Sequence, residues 1–154
     1  IDKCVYEGDC VVLDNVQDPG NLGTILRSCA ACGINNVLLS KSCVDPYSLK
    51  VLRASQGIQF RLNIVTTVDV VKFIDNYKYE VIATIPDATD SIYEHDLSQP
   101  CAWLFGNEGS GISGELLAHS VRRLAIPMQD DSESLNVAMA ATVCLFEMCR
   151  QRTV

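Results

Sequence analysis

Three short segments of this chain carry side chains of types and spacings that could do chemistry. The first is Leu13-Asp14-Asn15-Val16-Gln17-Asp18-Pro19-Gly20-Asn21-Leu22-Gly23-Thr24-Ile25-Leu26-Arg27. A strand ends here, the Pro19-Gly20 turn follows, and a helix opens near Asn21, which by itself would serve as an N-cap. Arg27 falls in a stretch, 22–32, whose only other polar side chains are Thr24 and Ser28. A guanidinium on a largely buried helix requires an anionic partner, from the protein or from a ligand. The second segment, Trp103-Leu104-Phe105-Gly106-Asn107-Glu108-Gly109-Ser110-Gly111-Ile112-Ser113, runs from an apolar strand into a glycine-rich loop and a short helix capped by Ser113. Its glycines let backbone amides approach a ligand, but they fall as G-x-x-G-x-G, not in the dinucleotide order G-x-G-x-x-G. Glu108 would repel a pyrophosphate and suit a cationic ligand such as a sulfonium. The third segment is Leu124-Ala125-Ile126-Pro127-Met128, the acids Asp130, Asp131 and Glu133, and then Ser134-Leu135-Asn136-Val137. Pro127 ends a strand, Ser134 is placed to cap a helix, and the acids match the positive end of its dipole.

The elements that must hold these segments alternate. Strands are predicted at 10–14, 36–39, 62–66, 80–84, 102–105 and 122–126, and helices at 21–32, 47–55, 68–77, 115–119 and 136–150. Gly33 follows the first helix as a C′ residue. Such alternation specifies an α/β fold: an open, mostly parallel sheet with helices on both faces. The last helix carries Val137, Met139, Val143, Phe146 and Met148 among small apolar residues, so apolar groups lie on every side. A second subunit would bury such a helix more readily than one small sheet, which makes a homodimer the expectation and deep burial within one chain the alternative. A charge at Ala140 or Ala141 would then split the dimer.

The 154 residues fit one domain, with 48% hydrophobic and 20% charged side chains, which excludes a disordered chain. No apolar run is long enough to span a membrane, and no secretory signal pattern opens the sequence. The absence of an initiator Met suggests a domain cut from a longer protein. Of eight cysteines, Cys29 and Cys32 form the only C-x-x-C, late in a helix and not at the N-terminus where a redox pair would sit. With two histidines at unsuitable spacing, no metal site is expected, and free thiols point to a reducing cytoplasm. A formal charge of −7 argues against broad electrostatic capture of nucleic acid, although Lys50, Arg53 and Arg61, and Arg122-Arg123, are locally basic.

Together the three segments resemble the SpoU, or TrmH-like, branch of the SPOUT RNA methyltransferases. Asn21 with Arg27, Gly106-Asn107-Glu108-Gly109, and Ile126-Pro127-Met128 with Ser134-Leu135-Asn136-Val137 match that family's motifs in order and spacing across nearly the whole chain. The resemblance implies a C-terminal trefoil knot, a homodimer built on the first and last helices, and transfer of a methyl group from S-adenosylmethionine to a ribose 2′-hydroxyl of RNA. It places the cofactor against Gly106, Asn107, Ile126, Met128 and Leu135. It makes Arg27 the group that binds the neighbouring phosphate and stabilises the developing alkoxide, because a guanidinium is a poor base. Asn21 would orient the ribose or Arg27, Glu108 would hold Arg27 or the loop, and Ser134 with Asn136 would form the pocket wall. The resemblance also implies an N-terminal RNA-binding domain missing from this chain. The form Asp18-Pro19-Gly20-Asn21-Leu22-Gly23-Thr24 is closer to the rRNA-modifying than to the tRNA-modifying members.

Two rivals make different predictions. A Rossmann-type dehydrogenase or kinase would bind NAD or ATP, and the glycine order opposes it. A non-catalytic RNA-binding or dimerisation module would keep the fold, yet a scaffold has no need of Asn21, Arg27 and Glu108 together.

Overall fold

The computed structural model describes residues 7–119, 121–130 and 134–153. Asp131 and Glu133 of the third segment lie outside the described residues. The strands are β1 (Cys10–Leu13), β2 (Asn36–Ser40), β3 (Asn63–Val68), β4 (Glu80–Thr84), β5 (Cys101–Phe105) and β6 (Arg122–Leu124). The helices are α1 (Pro19–Ala31), α2 (Leu49–Ser55), α3 (Val70–Asn76), α4 (Gly114–Leu117) and α5 (Val137–Arg152). The six strands form one sheet in the order β3-β2-β1-β5-β4-β6, and every pairing is parallel. Each parallel return needs a crossover over one face, which is why helices separate most of the strands.

Burial follows the pleat. Every residue of β1 and β5 is buried, as expected for central strands covered on both faces. Val11, Leu13, Trp103 and Phe105 point to one face, where they pack with Leu22, Ile25 and Leu26 of α1 and Ala141, Cys144 and Leu145 of α5. Cys10, Val12, Ala102 and Leu104 point to the other, against Phe73 and Ile74 of α3 and Leu116 of α4. The α/β class and the number and order of elements expected from the sequence are therefore present.

Several boundaries differ, those of the helices because a side chain caps better than the residue expected. α1 begins at Pro19, with Asp18 as N-cap accepting from Asn21 N at 2.8 Å. Asn21 thus lies inside the first turn. Asn136, not Ser134, caps α5 through bonds from Ala138 N (2.9 Å) and Met139 N (3.2 Å). Asp69 caps α3, so Val68 ends β3 and does not open a helix. β6 stops at Leu124, because Ala125 turns to pair with the long β4–β5 connection: Ala125 N donates to Asp90 O and Ile92 N to Ala125 O. A 3-10 turn at Ile58–Arg61 was not expected.

α5 is not buried all round. One side packs on the sheet, while Met139 is 62% and Phe146 51% exposed. Burial within one chain therefore does not account for these two residues. The seven described cysteines are free. Burial raises the Cys29 thiol well above the ordinary range and pushes Cys32 up to about 12, the reverse of what activates a redox nucleophile.

Candidate active site

The carboxyl end of β5 turns into the glycine loop at Gly106. A Cβ at this position would lie 2.4 Å from Gly111 O and 2.6 Å from Ile112 N, so no other residue fits without moving the backbone. The loop closes as a small hairpin, with Asn107 N donating to Gly111 O at 3.1 Å and Gly111 N returning to Asn107 O at 2.9 Å. Asn107 organises its interior. Its Oδ1 accepts from Gly109 N (2.9 Å) and Ser110 N (3.1 Å), while its Nδ2 donates to Asn15 O at 2.8 Å. Gly111 has a φ of +70°, the left-handed conformation that glycine adopts without a Cβ penalty.

Glu108 reaches across to the turn before α1. Its Oε1 accepts from Gln17 N at 3.0 Å and Asp18 N at 2.8 Å. The carboxylate therefore fastens the second segment to the first through backbone amides, and it does not hold Arg27. It also rims the cleft.

The first and third segments meet through two asparagines. Asn136 Nδ2 donates to Asn21 Oδ1 at 3.0 Å, while Asn136 Oδ1 caps α5. Behind this contact, Ser28 and Thr142 share a hydroxyl hydrogen bond of 2.7 Å between α1 and α5.

These ties frame a cleft of about 320 Å³ at the carboxyl ends of β4, β5 and β6. Gly106, Asn107, Ile126, Met128 and Leu135 all line it, and so do Glu108 and Ser134. Asn21, Arg27 and Asn136 do not. The cleft sits over the β5-β4-β6 side of the sheet, and no β1 residue lines it, so it is displaced from the β1–β5 seam where strand order reverses. Its walls combine apolar side chains with the exposed backbone of the glycine loop. Sequence reasoning missed the third wall, Thr84, Ile85 and Pro86 after β4, and the first turn of α5 at Val137 and Ala140. No signal in the sequence pointed to the β4 wall.

Arg27 stands apart. Its side chain is exposed on α1, and among the described residues it makes no hydrogen bond or ion pair. Of the two kinds of anionic partner expected for it, none comes from the protein among those residues, because the helix turns this position outward with Thr24. Among the described residues, no cluster of His, Cys, Asp and Glu is arranged to hold a metal ion.

The model of the SpoU rRNA Methylase family matches residues 9–146. A tRNA/rRNA methyltransferase of Synechocystis described as uncharacterized is 41% identical over 145 residues, covering 92% of this chain and 53% of its own length. A 23S rRNA (guanosine(2553)-2′-O)-methyltransferase of Bacillus subtilis is 33% identical, covering 90% of this chain and 56% of its own. Among solved structures, an AdoMet-bound rRNA methyltransferase from Sinorhizobium meliloti superposes with a TM-score of 0.86 at 35% identity, over 96% of this chain and 58% of that one. The chain thus spans about half the length of the curated relatives it matches. A family match over nearly the whole chain, together with these relatives, establishes that this protein belongs to the SpoU rRNA methylase family.

Proposed function

We propose that this chain is the catalytic part of an RNA 2′-O-ribose methyltransferase that uses S-adenosylmethionine, with ribosomal RNA as its substrate. The cleft carries this reading. Its volume is within the usual range for a small-molecule site, and a bare backbone at Gly106 with apolar faces from Ile126, Met128 and Leu135 suits a nucleoside with an aliphatic tail. When bound, the cofactor supplies an electrophilic methyl group on a sulfonium. Held against Gly106, Ile126, Met128 and Leu135, it would supply that methyl to a ribose 2′-oxygen and be released as the neutral thioether, with the hydroxyl proton passing to water.

The residues divide the work. Asn107 and Glu108 keep the glycine loop and the β1–α1 turn in one arrangement. Asn136 holds Asn21 at the edge of the site, where its amide can orient the ribose. Arg27 binds the adjacent phosphate and stabilises the developing negative charge as a fixed cation. Since Arg27 faces outward, it serves a cleft only if another surface meets it. We therefore infer a homodimer through α1 and α5, supported by the exposed Met139 and Phe146 beside the α1 face, with each Arg27 completing the partner's site. The likeness to solved members also supports the C-terminal trefoil knot.

The test is to incubate the chain with tritiated S-adenosylmethionine and total RNA, then digest with alkali. A 2′-O-methyl ribose blocks alkaline cleavage, so label should appear in resistant dinucleotides from rRNA. Label released as mononucleotides would mean base methylation and overturn the reading.

A further inference from the structure

The most exposed aromatic side chain among the described residues does not line the cleft. Phe60 is 75% exposed, and beside it are Tyr47 at 47% and Leu49 at 72%. The Tyr47 and Phe60 rings form a pair, with centroids 6.1 Å apart and planes tilted by 38°. A buried glutamine strengthens this arrangement: Gln59 Nε2 donates to Pro46 O at 2.8 Å and its Oε1 accepts from Ser55 Oγ, tying the Tyr47 loop to the Phe60 turn. The rings are thus held in place without being covered.

The charge around them is opposite to that of the molecule. Between residues 41 and 61 the chain has Lys41, Lys50, Arg53 and Arg61 against one carboxylate, Asp45, although its net charge is −7. All four cations are exposed, and among the described residues none has a side-chain hydrogen bond or ion pair. By contrast Arg122, Arg150 and Arg152 each have a carboxylate. The patch is tied to the turn beside the cleft by one backbone bond. Val44 N donates to Val16 O at 2.9 Å, joining the Tyr47 loop to the turn that Glu108 holds.

We propose that Tyr47 and Phe60 are a stacking platform for unpaired bases of the RNA substrate, and that Lys50, Arg53 and Arg61 hold the phosphates on either side. This rests on the reading of the chain as an RNA methyltransferase. Aromatic faces among unpaired cations are what a single strand requires: stacking tolerates any base, and the cations follow the backbone. A second copy of this acidic chain has less to offer four free cations than RNA has, and the local charge concentrates affinity that the molecule as a whole lacks.

The test uses fluorescence anisotropy of the chain with a fluorescein-labelled 12-nucleotide single-stranded RNA and a duplex of the same length. Phe60→Ala and Tyr47→Ala should each weaken single-strand binding by roughly 5- to 150-fold. Phe60→Tyr should retain it, and duplex binding should change little. Lys50→Glu with Arg53→Glu should flatten the salt dependence. Calorimetry with S-adenosylhomocysteine on each variant separates loss of the platform from loss of the fold. Unchanged single-strand binding by the alanine variants overturns the proposal, as does equal weakening of the duplex. Dissociation of a dimer by Phe60→Ala also overturns it, since the surface would then be a self-contact. If the parent methylates RNA and Phe60→Ala does so with unchanged KM for RNA, the platform fails alone. If the parent neither binds nor methylates RNA, both readings fail.

Discussion

Asn136 Nδ2 donates to Asn21 Oδ1 at 3.0 Å, across 115 residues of sequence, while the Oδ1 of Asn136 caps the helix that follows it. One amide therefore does two separable things. Replacing Asn136 with Asp keeps the capping acceptor and removes the donor. Asn136→Asp should retain the parent's urea midpoint and lose methyl transfer. Asn136→Ala should lose both, with about 0.5–2 kcal/mol of stability. Equal activity of Asn136→Asp and parent would show that the inter-segment bond is dispensable.

Gly106 tests the cleft itself. A methyl group 2.4 Å from Gly111 O forces the loop to open, and the hairpin held by Asn107 cannot shift without breaking its bonds. Gly106→Ala should abolish binding of S-adenosylhomocysteine in calorimetry and leave the far-ultraviolet circular dichroism of the sheet and helices intact. Normal affinity would place the cofactor elsewhere.

Arg27 is exposed and has no partner among the described residues, so its removal should cost the fold little, within about 0.5 kcal/mol. Its proposed contribution is to the transition state alone. Arg27→Ala should bind cofactor as the parent does and lose roughly 100- to 1,000-fold in kcat. A large drop in melting temperature would make the arginine structural.

The structure moves the dimer test off Ala140 and Ala141. Ala141 is fully buried against the sheet and Ala140 lines the cleft, so a charge at either would damage the monomer. Met139 and Phe146 face outward. Phe146→Glu and Met139→Glu should shift light scattering from dimer to monomer and lower methylation together, with cofactor affinity preserved. A parent chain that is monomeric at micromolar concentration would remove the shared site.

Which of these features the sequence determined follows from the range of the physics involved. Alternation of apolar strands with helical segments is local, so the α/β class and the order of elements could be read directly. Local turn, cap and glycine chemistry left each of the three segments open to a structural reading; their resemblance in order and spacing to one family's motifs grouped them, and Gly106, Ile126 and Leu135 indeed line one cleft. Caps were harder, because Asp18 competes with Asn21 and Asn136 with Ser134 within one turn, and only the backbone path selects the winner. Partners across the chain were not legible at all. Nothing local states that Glu108 will meet the amides of Gln17 and Asp18, or that the end of β4 supplies a wall, because parallel pairing brings together segments far apart in sequence. The side of α1 on which Arg27 emerges was decided in the same way. Leu22, Ile25, Leu26 and Cys29 take the sheet-facing stripe, and a helical turn then leaves Arg27 facing outward.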